Sequence, residues 1–424
     1  MGTPEEGDAY RRPGCLDGWI PEGTQRSALR RKGRKAMHDH EGRIVSAKIN
    51  RRTLLELTAF TAVASAFPTQ ALAKEDKKPN GFEVDPFWPK PLPRDTGPGH
   101  SREWITGEIA GCAVDAHDNV WTVSRRNLTA TELIAGAPSP AVIAFDRKGD
   151  VVKAWPERGS ALEAGLANGL HGIFVDYQGY VWIGGNADAF VQKYTQDGTL
   201  VMQIGTKGMF DSSDGTAAGT PLNSSTTRLN RPSDIAVDPT NGDVYISDGY
   251  GNHRVIVFNR NGAFLRQWGS AGTLAEAQAG APAKFRGTVH GVNISADGLV
   301  YVNDRAGDRI QVFTKMGVFV RNIWTNNGVA IGAGGAGSAW DLAFSTDKDQ
   351  EFIYSTDGDQ QINSTIGRAS GETLARIGRS GHMAAEFTFL HTVTVDSKGH
   401  LYTAETVGGR RIQKFKEHGH PDDD

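Results

Sequence analysis

One unit recurs six times along this chain, and no other feature constrains the fold as strongly. The copies open "AGCAVDAHDNVWTVS", "HGIFVDYQGYVWIGG", "SDIAVDPTNGDVYIS", "HGVNISADGLVYVN", "WDLAFSTDKDQEFIYS" and "HTVTVDSKGHLYTAE". Each reads as a strand, a turn carrying Asp, Asn or Gly, and a second strand rich in Tyr, Trp and Val. Most continue into a third strand of the type "RVIVFNRNG" or "RIQVFTKMG" and a fourth such as "FLRQWG" or "LVMQIG". The copies start 50 to 62 residues apart. A lone four-stranded sheet cannot bury both faces, so such units pack on one another round a central channel, as the blades of a propeller. The expected fold class is therefore all-β, a six-bladed β-propeller. The sixth copy ends at "RRIQKFKEHG" without a fourth strand, and "GFEVDPFW" at residues 81–88 is expected to supply it and close the ring over residues 74–424.

The first 73 residues read differently. "NRRTLLELTAFTAVASAFPTQALA" pairs Arg51 with Arg52, continues into a short apolar stretch, and ends on Ala71, Leu72 and Ala73 as a cleavage site. That is the layout of a twin-arginine export signal, removed from the mature protein, and its apolar part is too short for a stable membrane span. The expected location is periplasmic or secreted. The polar stretch ahead of the signal carries no fold pattern, and Met37 offers an alternative start. Residues 1–73 hold 12 of the 46 Lys/Arg and 8 of the 49 Asp/Glu, so the mature part is acidic, near −7. An acidic surface argues against nucleic acid as a partner. With Cys15 upstream of the signal, Cys112 is the one mature thiol, and no disulfide within the mature chain is possible.

A histidine recurs at one fixed place. The residue five before the Asp or Ser that ends each first strand is, in order, Ala110, His171, Ser233, His290, Trp340 and His391. The chain has 12 histidines, and three of them fall on alternate copies at this position. First strands line a propeller's channel, and alternate blades of six stand about 120° apart. Three imidazoles then converge at one depth and leave a fourth place open, which is the donor set of a catalytic zinc site. Zinc is the expected metal on grounds of donor chemistry.

Second strands return to the rim where first strands begin. Arg125, Asn186, Tyr250, Arg305 and Thr406, just past them, are therefore expected to face the histidines. Two arginines suit a carboxylate, and a tyrosine beside a metal and a cation is a candidate proton acceptor. The expected catalytic residues are Tyr250, Arg305 and Arg125, acting on a small anionic or peptide-like substrate. Asp115, Asp176, Asp238 and Asp396 read as turn braces, and His253, His382 and His400 as surface or packing residues. "GAGGAGSAW" at 332–340 lacks the GK[ST] of a phosphate loop, and no G-x-S-x-G elbow occurs. Inserts near 127–140, 206–228 and 270–287 read as rim loops over the site, available also to a protein partner.

The repeats resemble NHL-type repeats. More specifically, the chain from about Gly107 to Phe415 resembles the peptidyl-α-hydroxyglycine α-amidating lyases through "LHGIFVD", "RPSDIAVDPTNGDVYISDGYGNHRVIVF", "VHGVNISADGLVYVNDRAGDRIQVF" and "FLHTVTVDSKGHLYTAE". The resemblance implies zinc on His171, His290 and His391, Tyr250 as base, and assistance from Arg305 and Arg125. It implies cleavage of a carbinolamide, R-CO-NH-CH(OH)-COO⁻, to an amide and glyoxylate. Thr392 stands where that family has an aspartate helping to hold a structural calcium, and a neutral hydroxyl is a weak ligand for a hard dication, which argues against that calcium. The family's disulfide cysteines and its fused hydroxylating domain are also missing. A non-catalytic propeller that binds a protein or glycan is the alternative expectation. Calcium-dependent lactonase chemistry would need Glu, Asn and Asp where this chain has histidines.

Overall fold

The computed structural model describes residues 76–95 and 102–418, and the stretch expected to be an export signal lies outside them. Among the described residues the chain forms six four-stranded antiparallel sheets. Sheet 1 comprises Ile109–Val114, Val120–Ser124, Val142–Phe145 and Val151–Trp155. Sheet 2 comprises Leu170–Val175, Val181–Gly185, Phe190–Tyr194 and Leu200–Gly205, and sheet 3 Asp234–Val237, Val244–Asp248, Arg254–Phe258 and Phe264–Trp268. Sheet 4 comprises Val289–Ile294, Leu299–Asp304, Arg309–Thr314 and Phe319–Trp324, and sheet 5 Asp341–Phe344, Phe352–Asp357, Ile362–Gly367 and Thr373–Ile377. Sheet 6 joins Leu390–Val395, Leu401–Glu405 and Ile412–Glu417 to Phe82–Asp85, which pairs antiparallel with Ile412–Glu417 from the other end of the chain.

The core shows how these sheets are arranged. Apolar residues gather in six clusters, and each cluster is shared by two consecutive sheets. Trp121 and Val123 of sheet 1 meet Leu170 and Ile173 of sheet 2, for example, and Tyr301 and Ile310 of sheet 4 meet Leu342 and Ile353 of sheet 5. The last cluster joins Tyr402, Ala404 and Ile412 of sheet 6 to Ile109 and Phe145 of sheet 1, so the ring is closed and propeller-like. Closure leaves no sheet face without an apolar partner.

Turns are braced as their aspartates suggest. Asp115 accepts from the backbone N–H of His117 at 2.8 Å and of Asn119 at 2.9 Å, and its second oxygen accepts Trp121 Nε1 at 2.9 Å. Asp176 repeats the pattern with Trp182, and Asp396 with the Tyr402 hydroxyl, each at 2.9 Å. One carboxylate thus closes the turn and anchors the aromatic side chain of the returning strand. The inserts carry structure of their own: Ala130–Ala135 and Leu274–Gln278 are short helices, both opened by a capping box. No described helix is long and apolar enough to cross a membrane.

Candidate metal centre and active site

Along each first strand of sheets 1, 2, 4 and 6 the alternation of faces slips by one residue. Leu170 and Ile173 both enter the core between sheets 1 and 2, and Val289 and Val292 both enter the core between sheets 3 and 4. Leu390 with Val393 and Ile109 with Cys112 do the same. Residues three apart share a face only if the strand bulges, and the ladder registers shift between these pairs. His171, His290, His391 and Ala110 sit on those bulges. A bulge re-aims a side chain without breaking the packing on either side of it.

The three re-aimed imidazoles meet. Their ring centroids lie 4.9 Å apart for His171 and His290, 4.7 Å for His171 and His391, and 4.8 Å for His290 and His391. The near-equal edges are what alternate members of a sixfold ring produce. All three residues are buried.

Backbone carbonyls of the neighbouring sheets set the tautomers. His171 Nδ1 donates to the Ser233 carbonyl at 2.8 Å, and His290 Nδ1 to the Trp340 carbonyl at 2.6 Å. A carbonyl only accepts, so Nδ1 carries the proton and Nε2 keeps a lone pair. The Ala110 backbone serves His391 in the same way, in a contact too loose to count as a full hydrogen bond. Each histidine therefore leans on the corresponding residue of the next sheet. Gly172 makes this possible for His171, because a Cβ there would stand 2.5 Å from the Ser233 carbonyl oxygen.

Electrostatics keep the rings neutral. Burial, then the neighbouring charges of His391 and Arg125, drive the His171 pKa well below the usual range. Burial and the other two rings do the same for His290, and burial with Arg125 and Arg305 brings His391 to about 3. Neutral imidazoles are the form that binds metal. The donor atoms lie within 4.8 Å of one another, and three nitrogens held ~2.1 Å from a tetrahedral ion would stand ~3.4 Å apart. His290 Nε2 is buried with no hydrogen-bond partner. An orphaned lone pair on this axis fits a cation, and small adjustments of the rings would close on one.

Tyr250 and Arg305 face the same point. The Tyr250 hydroxyl lies 3.0 Å from His171 Nε2, and Arg305 Nη1 donates to its oxygen at 3.1 Å. Arg305 lies over the Trp340 ring at 4.7 Å, donates its Nε to the Ala336 carbonyl at 3.2 Å, and has no carboxylate partner among the described residues. Arg125 is more engaged: Nε donates to the Leu170 carbonyl at 3.0 Å and Nη1 to Glu108 at 2.5 Å. Glu108 also accepts from the Thr406 hydroxyl at 2.9 Å. Asn186 is held through its backbone N–H on the Gly169 carbonyl, and its side-chain Nδ2 is buried without a hydrogen-bond partner.

Four residues around the centre escaped the reading of the sequence: Trp340, Glu108, Asp234 and Asp341. Trp340 packs on His290 at 5.3 Å and His391 at 5.5 Å and forms a wall of the centre, and its repeat position equivalent to the histidines was the available signal. Glu108 carries no local signature, since it reaches Arg125 only through the fold. Asp234 and Asp341 line a cavity of about 100 Å³ bounded by the first strands of all six sheets. They accept from the backbone N–H groups of Val292 and Val393, each at 3.1 Å.

Burial raises the Asp341 acid to about 7, and burial with the nearby Asp341 charge raises Asp234 well above the carboxylate range. An acid whose folded pKa exceeds its unfolded value near 3.9 contributes stability that is complete below about pH 4 and lost as pH rises through about 7. Asp341→Asn is therefore expected to be more stable than the parent at pH 8 and to lose that advantage at pH 4. Urea midpoints at the two pH values check this, and an equal advantage at both would refute it.

A family model for the NHL repeat matches residues 229–258. Over 353 residues the chain is 28% identical to human NHL repeat-containing protein 3, covering 79% of this chain and 84% of that protein. It is 39% identical over 94 residues to peptidyl-glycine alpha-amidating monooxygenase B of Xenopus laevis, and 25% identical over 312 residues to the rat peptidylglycine alpha-amidating monooxygenase. The similarity covers 22% and 68% of this chain but only 10% and 28% of those two proteins.

Proposed function

We propose that this NHL-repeat chain, similar in part to amidating enzymes, is an exported zinc-dependent lyase that cleaves a carbinolamide to an amide and glyoxylate. One observation carries the reading: three neutral imidazoles, a tyrosine hydroxyl and an arginine without a carboxylate partner converge on one buried point. His171, His290 and His391 would hold the metal. Zinc there supplies Lewis-acid polarisation of the substrate hydroxyl.

The chain's own residues do the rest. Tyr250, in its phenolate form, takes the hydroxyl proton, and Arg305 stabilises the phenolate oxygen through the 3.1 Å contact. As the carbonyl of glyoxylate forms, the C–N bond breaks and the nitrogen leaves with its electron pair, taking up the proton that Tyr250 returns to give the amide. Arg305, held over the Trp340 ring, has donors to spare for the substrate carboxylate. Arg125 has committed Nη1 to Glu108, so it acts mainly by positive field and by fixing the rim. A cavity of about 1020 Å³ opens beside Arg125 between Trp104, Pro138 and Arg158, with room for a peptide-like acyl group.

The test is glyoxylate release from N-benzoyl-α-hydroxyglycine by the zinc-loaded protein. Tyr250→Phe is expected to lower kcat by about 10²-fold, the usual contribution of a positioned proton acceptor, with zinc content unchanged. Stoichiometric zinc without glyoxylate would reject the reaction and keep the centre. The reading as a binding propeller draws on the similarity to human NHL repeat-containing protein 3 over most of the chain. It predicts instead that partner capture survives removal of the metal.

A further inference from the structure

The repeat supplies its own control for a second site. In sheet 3, Asp248 at the end of the second strand stands directly across from Arg254, whose Nε donates to it at 2.9 Å. In sheet 4, Asp304 stands across from Arg309, again at 2.9 Å. In sheet 6, Glu405 meets Arg411 at 2.6 Å. Sheet 5 keeps the acid and lacks the base: Asp357 is paired with Ile362. Asp357 is 1% exposed. Its Oδ1 accepts the backbone N–H groups of Asp359 and Gln360, at 3.0 and 2.9 Å. Its Oδ2 is buried with no partner, and the Asn327 amide approaches the carboxylate without closing a hydrogen bond. A buried carboxylate oxygen without a counter-charge is costly, and its three sister positions all avoid that cost.

Asp357 lines a cavity of about 300 Å³ together with Asp308, Asp359, Asn326, Gln360 and Ser338. All of these present oxygen donors and none presents a cation. Val329, Gly334 and Gly335 form the remaining wall, where a Cβ on Gly334 would meet Asp359 Oδ2 at 2.5 Å. The glycine-rich stretch at 332–340 thus folds over two of the three carboxylates: Asp359 accepts the N–H groups of Ala336 and Gly337, and Asp308 those of Gly332 and Ser338.

The geometry points to a binding site for a hard, oxygen-seeking divalent cation, calcium first, in which Asp357 Oδ2 is the anchoring ligand and Asp308, Asp359 and neighbouring loop oxygens complete the shell. The cation takes the place that a guanidinium fills in sheets 3, 4 and 6. It shares no ligand with the histidine centre, and Thr392 plays no part in it. It would also steady the loop that bears Trp340 and whose Ala336 carbonyl holds Arg305, so occupancy braces one wall of the metal centre.

The test uses the full chain, stripped with chelator and reloaded with one equivalent of zinc, and needs no turnover. Calcium itself is titrated by calorimetry, with thermal midpoints followed in parallel. One saturable calcium per chain is expected, with a rising midpoint. Asp357→Asn should bind calcium more than tenfold more weakly while keeping its zinc. Ile362→Arg restores the sister arrangement, and it should abolish the calcium response and raise the midpoint of the calcium-free protein. No calcium binding by the parent up to about 10 mM, beyond the weakest calcium modules, overturns the proposal. So does unchanged affinity in both variants.

Discussion

His290→Ala is expected to lose its bound zinc on dialysis and to release glyoxylate at least about 10³-fold more slowly than the parent. Among the described residues three histidines and no fourth metal-binding side chain group here, so removing one leaves a two-ligand site. Losing a hydrogen-bond partner of a ligand already costs about 10- to 100-fold in metal affinity, and losing the ligand costs more. The fold should survive, because Ala110 occupies the same bulged position in sheet 1 and its strand packs normally. Metal content by elemental analysis, beside circular dichroism and the glyoxylate assay, separates loss of site from loss of structure. One zinc per chain in a folded His290→Ala protein would remove the histidine triad from the explanation.

Arg254→Leu is expected to destabilise the fold by about 3–5 kcal/mol, the usual cost of leaving a buried charge without its partner. Arg254 is fully buried. Its guanidinium contacts Asp248 at 2.9 Å and Asp211 at 3.2 Å, and donates to the Ser225 and Arg228 carbonyls, both at 2.8 Å. Burial already pushes the Asp248 acid up, and Arg254 is the largest influence opposing it. Leucine fills much of the volume but leaves two carboxylates with only neutral N–H partners and no counter-charge, and takes a donor from two carbonyls. Adding Asp248→Asn should return part of the loss, since one of the two orphaned charges is then gone. Urea unfolding of the single and double variants measures both terms. A single-variant change below about 1 kcal/mol would show that water reaches the pair and that it is not buried in the sense used for such costs.

How much was legible in the sequence can be followed through particular residues. The six strand pairs, the fourth strand donated by Phe82–Asp85, and the turn aspartates all rest on local patterns, because strand alternation and Asx turns are set within a few residues. The alternate histidines were legible for the same reason, since a repeat places equal residues at equal depth. Their aim was written less openly. In "LHGI", "VHGV" and "LHTV" the flanking apolar residues are three apart, which a regular strand does not tolerate, and that spacing announces the bulge.

Other features were out of reach of any local pattern. Glu108 and Arg125 are 17 residues apart and meet at 2.5 Å because one precedes sheet 1's first strand and the other follows its second. Asp234 and Asp341 are neighbours because the first strands of sheets 3 and 5 line the same narrow channel. Asp357 looks like any strand-ending acid until the register sets Ile362 opposite it.

The amino-acid sequence by itself determined the repeating sheet, its closure and the depth at which three imidazoles lie, because these follow from the period of a strand and the identity of successive copies. The tertiary structure alone decided which charges are compensated, which lone pairs stay bare, and the contacts that join Arg305 to Tyr250 and Tyr250 to His171. Electrostatic partnership depends on distance and burial across sheets, and neither quantity is a property of neighbouring residues in the chain.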